Sequence, residues 1–267
     1  MAAPIIPYGA GLNLVVVARG HPYERDAFMG MFDEMEGVCA SLVEQPAAAR
    51  LLNPDALRGY DAVVLYDMPG LDFRAPNGPA HVEPDAATKA GFRGLLEAGI
   101  GVVALHHAIA AWPAWPEYGE WLGGRFLYRP GEVRGRACLD SGYRHDVAYE
   151  ATTVGEHPVL AGVPASFPLK DELYLGEVFE ADVTPLLRSS HGFVAGNFYS
   201  ASQAVAGRMF SNEGWDHPPG SNLIGWTRTA LNSRLVYLQP GDGPAAYADP
   251  NLRRLIENAI RWTARRI

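Results

Sequence analysis

The chain has 267 residues, enough to bury a large core as one large or two small domains. Apolar residues make up 48% and charged residues 19%, which argues against disorder. A net charge of −8 gives no electrostatic reason to expect a nucleic-acid or anionic-membrane partner. The two cysteines, Cys39 and Cys138, stand far apart in no metal or disulfide pattern, so a reducing compartment is expected.

The opening MAAPIIPYGAG has no basic region and no long apolar run, and no stretch approaches 18 apolar residues. A cytoplasmic protein without a signal peptide or membrane span is the expectation. Leu12–Ala18 is rich in β-branched residues and predicts a first buried strand, ending in the loop Arg19-Gly20-His21-Pro22-Tyr23. Residues 24–36 place Phe28, Met31, Phe32 and Met35 on one helical face. A second strand is expected over Val38–Val43, then a short capped helix at Asn53–Leu57 and a third strand at Ala62–Tyr66. Residues 67–84, with four prolines, predict a long loop, followed by a helix from Asp85 to Ala98 capped by Gly99.

Gly101-Val-Val-Ala-Leu105 reads as a strand buried on both faces, and it stops at His106 and His107. A helix carrying Trp112, Trp115, Tyr118 and Trp121 is expected next. The order so far is that of a mostly parallel sheet with helices on both faces. After Gly123-Gly124 the rhythm breaks, and residues 125–153 suggest a hairpin or a return along the sheet edge. A turn and short helix are expected at His157–Val163, an acidic loop at Lys170–Tyr174 and strand-like residues at Leu186-Leu187. Residues 191–222 hold no periodic element. Leu223–Thr229 and Arg234–Gln239 predict paired strands, and Pro250–Arg265 a final amphipathic helix. No linker divides the chain, so residues 1–267 are expected to form one α/β domain, doubly wound and flavodoxin-like, with an inserted antiparallel segment.

Open α/β sheets bind ligands at the carboxyl edge of their strands. His21, Asp67, His106, His107 and Asp242 all follow expected strand ends and could share one crevice there. Imidazoles with a carboxylate suit a divalent transition metal, so His21, His106, His107 and Asp242 are candidate ligands for zinc or manganese. His106 or His107 is alternatively a general acid or base. Asp171 and Glu172 offer carboxylates and Tyr174 a phenol. Against these roles stand bland ones: a packed histidine at the strand end, an exposed acidic turn at 171–172, and core packing for the tryptophans. Trp112, directly after the histidine turn, is the aromatic that could line a pocket.

Several phrases in the same order along the chain resemble the ThuA-like (trehalose-utilisation type) family, of class I glutamine-amidotransferase-like fold. They are Gly101–His106, Glu120-Trp-Leu-Gly-Gly-Arg-Phe126, Glu156-His-Pro-Val159, Asp171-Glu-Leu-Tyr174, Gly225-Trp-Thr-Arg228, Arg234–Asp242 and Asn258-Ala-Ile-Arg-Trp262. The family's strand-ending phrase usually reads Gly-His where this chain has Gly241-Asp242. In amidotransferases of this fold a nucleophilic cysteine occupies the turn where His106 stands, so the resemblance implies that glutaminase chemistry lacks its nucleophile.

The resemblance implies an enzyme acting on a carbohydrate or keto-sugar by acid/base, metal-assisted or metal-free, isomerisation or elimination. His106 or His107 would be base or ligand, Glu172 a second acid/base group and Tyr174 a donor, with Asp67, Trp112 and Asp171 toward the substrate. The alternatives are a lyase or hydrolase on another small polar or aromatic substrate, or a non-catalytic sugar- or partner-binding module. A small-molecule ligand and no nucleotide cofactor are expected, and a homodimer fits an enzyme of this size.

Overall fold

The computed structural model describes residues 11–76 and 79–267. Its centre is a ten-stranded sheet. Strands β1 (Leu12–Arg19), β2 (Val38–Glu44), β3 (Ala62–Asp67) and β4 (Gly101–Leu105) are all parallel, in the order β2-β1-β3-β4. Along β1 the side chains alternate. Leu12, Leu14, Val16 and Ala18 enter one core layer, and Val15 and Val17 the opposite one.

The first layer is closed by α1 (Arg25–Asp33), through Phe28, Met31 and Phe32, by the short α6 (Pro244–Ala248), through Ala246 and Tyr247, and by α7 (Pro250–Thr263), through Leu252, Leu255, Ile256 and Ile260. The second is closed by α3 (Ala86–Ala98), through Phe92, Leu95 and Leu96, and by α4 (Pro116–Leu122). Helix α3 begins where Asp85 accepts from Thr88 N and ends at Gly99 in the left-handed conformation (φ 79°). Gly101 is required for a different reason: a Cβ there would lie 2.6 Å from the Thr263 carbonyl carbon at the end of α7. Doubly wound packing is therefore present, as the apolar periodicity predicts.

The antiparallel segment continues this sheet rather than standing apart from it. Strand β9 (Ser233–Leu238) is parallel to β4 and antiparallel to β8 (Leu223–Ala230), and the order runs on through β7 (Thr184–Ser189), β5 (Gly142–Thr153) and β6 (Ser166–Leu175). A two-residue strand, Tyr199–Ser200, also pairs with β5.

Four local expectations are corrected. Lys170–Tyr174 is no loop: it lies inside β6, with Asp171, Glu172, Leu173 and Tyr174 all buried. Asn53–Leu57 forms a turn, in which Asn53 Oδ1 accepts from Ala56 N, and the helix lies earlier, as α2 (Ala47–Leu51). The tryptophan segment is broken into a 3₁₀ turn, His106–Ala110, and α4. Within 191–222 a short helix does form, α5 (Ala201–Val205), with Ser200 accepting from Gln203 N. Among the described residues no helix is long and apolar enough to cross a membrane.

Candidate functional site

Buried strand β4 ends at Leu105, and the chain turns sharply through His106, whose φ of 47° is uncommon for a residue with a side chain. The turn is held by Tyr237 OH, which donates to the His106 carbonyl at 2.9 Å. It drives the imidazole inward, to zero exposure, against the end of β9.

Two of the ring's contacts define its protonation. Nδ1 lies 2.7 Å from the Gln239 carbonyl, which only accepts, so Nδ1 carries a proton. Nε2 faces Glu172 Oε2 at 3.0 Å, Asp242 Oδ1 at 3.3 Å and Tyr174 Oη at 2.8 Å. Burial disfavours the imidazolium, but hydrogen bonds and charge from Asp242 and Glu172 outweigh it and lift the pKa to about 10. His106 is thus a buried cation between two carboxylates. Asp242 responds in kind: burial would raise it, yet the His106 hydrogen bond and charge take it down to about 2.

Glu172 and Tyr174 are two residues apart on β6 and so share a face. Tyr174 OH donates to Glu172 Oε2 at 2.8 Å, and the Tyr174 ring stacks on His106. On neighbouring β5, Tyr143 pairs with Tyr174 in register. The ladder then bulges between Arg144 and Val147, and His145 Nδ1 comes 3.2 Å from Glu172 Oε1. Although β6 stands at the far end of the sheet order, Gln239 ties it to β9. Its amide accepts from Tyr174 N at 2.9 Å and donates to Tyr174 O at 3.2 Å.

The other expected site residues divide. Among the described residues one trio of metal donors converges, His21, Glu172 and Asp242, with ligand atoms within 4.8 Å of one another. His21 Nδ1 donates to the Pro22 carbonyl at 2.9 Å, which leaves its Nε2 lone pair for a ligand. One imidazole nitrogen and two carboxylates are a donor set that fits zinc or manganese.

His106 and His107 are outside that trio, which corrects their place among the candidate ligands. His106 Nε2 is already engaged by both carboxylates. His107 Nε2 donates to the Tyr66 carbonyl at 3.0 Å, and its Nδ1 is buried without a partner. Burial and the neighbouring His106 and His21 hold His107 far below the usual imidazole range, so it is a neutral ring packed beneath His21 and against Tyr66.

Asp67 and Trp112 are not part of the crevice. They share a separate cavity of about 10 Å³ with Gln45, whose amide donates to Asp67 Oδ2 at 2.7 Å. Asp171 borders the crevice, but its oxygens are taken by the backbone N–H groups of Gly241, Asp242 and Glu172. It shapes the turn that carries Asp242.

Two clefts open on this cluster. One, of about 310 Å³, is the more polar of the two, bounded by His145, Asp146, Lys170, Glu172 and Asp242 and by Gly243, Pro244, Ala245 and Ala246. The other, of about 150 Å³, is apolar, bounded by Phe126, Tyr128, Tyr143, Tyr174, Val205 and Met209 together with His21, His145 and Glu172. Glu172 and His145 belong to both. His106 borders neither, so within this cluster the groups that can meet a ligand are Glu172, Tyr174, Asp242, His21 and His145.

Composition and spacing left His145 and Gln239 without a role. One signal could have found His145: with 142–153 and 166–175 paired antiparallel, alternation puts Tyr143, His145, Glu172 and Tyr174 on one face. The charges at 170–172 concealed that pairing.

Known folds agree with this architecture. A ThuA-like protein of Parabacteroides merdae ATCC 43184 superposes with TM-score 0.64 at 15% identity, covering 95% of this chain and 90% of that one. A ThuA-like protein of Bacteroides uniformis ATCC 8492 gives TM-score 0.63 at 20% identity, covering 98% and 95%. A glutamine amidotransferase of Thermotoga maritima gives 0.50 at 10% identity, covering 95% and 98%. No curated protein matches the sequence significantly. The family model for ThuA, described as trehalose utilisation, matches residues 15–263, and the chain belongs to that family.

Proposed function

We propose that the protein is an enzyme acting on a carbohydrate oxidised to a keto-sugar, by proton transfer at the carbon beside the carbonyl. One observation carries this reading: Glu172 borders both clefts while a buried imidazolium, a phenol and His145 hold its two oxygens in fixed directions. A carboxylate so held is a preorganised base. His106, whose place in the sequence suggests a base or ligand, is better suited to orient Glu172 and Asp242 than to touch substrate.

In a sugar carrying its carbonyl at C3, the hydrogen on C2 is acidic. Glu172 takes that proton, and the electron pair passes into the carbonyl as an enolate. For isomerisation a proton returns to a neighbouring carbon. For elimination the enolate re-forms the carbonyl, a C1–C2 double bond forms and the C1–O bond breaks. The departing oxygen collects a proton from Tyr174 or His145 and leaves as an alcohol. A divalent metal on His21, Glu172 and Asp242 would supply Lewis-acid stabilisation of the enolate oxygen.

The test is exchange of the C2 hydrogen of a 3-keto-glucoside in D₂O, followed by proton NMR. The wild-type protein should catalyse loss of that signal. Glu172→Gln should slow it by about 10²-fold or more. Equal exchange in the variant would exclude Glu172 as the base.

A further inference from the structure

Two clefts meet at Glu172 and offer a ligand opposite things. Sugar rings carry hydroxyl groups around their rim, and a subsite that buries them must supply donors and acceptors still free to bond. The larger cleft has such groups: Lys170 and Asp146 pair at 3.1 Å but each keeps further donors or acceptors, as do His145 and Asp242 beside their bonds to Glu172 and His106.

Beyond His21, and the Glu172 and His145 that it shares with the larger cleft, the smaller does not, although three of its residues are tyrosines. Tyr128 OH donates to the Ala110 carbonyl at 3.1 Å. Tyr143 OH accepts from Phe210 N at 3.0 Å and points its hydrogen at the Met209 sulfur. Tyr174 OH donates to Glu172. Before any reaction the phenols are engaged by the protein itself, and Tyr174 is released only once Glu172 has taken a proton. What they leave for a ligand is ring face, thioether and methyl carbon. A sugar placed there would bury most of its hydroxyls without partners, whereas an aromatic ring would meet mainly carbon, besides the polar groups of His21, His145 and Glu172. The volume of about 150 Å³ suits one such ring.

We infer that the smaller cleft is an aglycone subsite: it holds an aromatic or compact apolar group whose sugar lies in the larger cleft, with Glu172 facing the bond between them. The inference rests on the keto-sugar reading above and narrows it, from carbohydrates at large to glycosides of an apolar alcohol or phenol. Met209, half exposed on the outer wall, and Val205, on α5, set the preference.

Binding and turnover separate the two ideas. The probe for binding is phenyl β-D-glucopyranoside, unoxidised and so unreactive, followed by saturation-transfer NMR on the full-length protein. Its phenyl protons should receive strong saturation, and trehalose much less. Met209→Glu and Val205→Asp should each cut the phenyl signal about fivefold or more. Met209 is 52% exposed, so its variant is compatible with the fold. For turnover, the C3-keto forms of the two compounds are compared. The phenyl glycoside should show a kcat/KM about tenfold above keto-trehalose, and Met209→Glu should bring the ratio near one.

Turnover that needs Glu172 but treats both compounds alike, with no phenyl saturation, would overturn the subsite and leave the enzymatic reading standing. Phenyl saturation lost in both wall variants, with no turnover of either keto compound, would keep the subsite and overturn the reading. Neither binding nor turnover would overturn both.

Discussion

At His106 a left-handed backbone, complete burial and two carboxylate partners coincide, so a substitution there acts first on its neighbours. His106→Ala removes the cation that holds Glu172 and Asp242 together and leaves two like charges facing each other across a small gap. Exchange of the keto-sugar C2 hydrogen should fall by about 10²-fold in kcat with KM nearly unchanged, because His106 borders neither cleft. A KM effect without a kcat effect would mean that the ring contacts substrate. Asp67 tests burial alone. Burial raises its pKa to about 6, and the Gln45 hydrogen bond opposes the rise without cancelling it. Between the unfolded value of 3.8 and about 6, the folded chain holds more protons than the unfolded one, so Asp67 makes stability fall as pH rises. Relative to Asp67→Asn, the wild-type protein should lose about 3 kcal/mol across that window and nothing more above it. Urea denaturation of both proteins at about pH 4 and pH 7.5 measures the difference, and parallel curves would remove Asp67 as the cause.

Among the elements, those whose pattern has a single cause were legible. Strands β1, β3 and β4 are apolar runs because they are buried on both faces, and α1, α3 and α7 keep the helical period because each covers one face of the sheet. Strand β6 was not legible, and the reason is functional. Its centre carries Lys170, Asp171 and Glu172, charges that ordinarily mark a solvated turn. They are tolerated because Asp171 is saturated by backbone N–H groups and Glu172 by His106, Tyr174 and His145. The crevice at the strand ends was therefore visible in the sequence, while the strand that supplies its chief carboxylate was not. The segment 199–217 escaped for another reason: much of its order comes from side chains far away in sequence, Tyr143, whose OH accepts from Phe210 N, and above all Asp140. Asp140 accepts from Ser200 Oγ at 2.5 Å, Ser202 N at 2.9 Å and Trp215 Nε1 at 3.1 Å, so it pins both ends of the wall that carries α5 and Met209. Asp140→Ala should loosen this wall alone. Amide exchange over 200–215 should rise by about tenfold or more, at roughly 1.5–3 kcal/mol for each hydrogen bond to a charged group, while β1, β3 and β4 keep wild-type protection. Uniform acceleration across the sheet would mean that the pin is global.

For the whole molecule, the candidate metal trio spans parts that otherwise meet only through side chains. His21 follows β1 in the parallel half, Glu172 lies on β6 at the end of the antiparallel half, and Asp242 hangs from the end of β9 at the junction. Bonds from one ion to all three would reinforce a loop across the sheet that the Gln239 amide, the Asp171 carboxylate and His106 now close. They exist only in the folded chain, so binding free energy adds to folding free energy. At a free metal concentration one hundred times Kd the gain is about 2.7 kcal/mol. For a chain of this size, at roughly 2–4 °C per kcal/mol, that raises Tm by about 5–10 °C. Scanning calorimetry with Zn²⁺ or Mn²⁺ against a chelated control should show this rise in the wild-type protein. Both His21→Ala and Asp242→Ala should abolish it. His21→Ala is the cleaner of the two, because Asp242 also offsets the His106 charge and its loss lowers Tm even without metal. A shift that persists in His21→Ala would place the ion elsewhere. Its absence in the wild-type protein would leave His106 as the cation that joins these carboxylates.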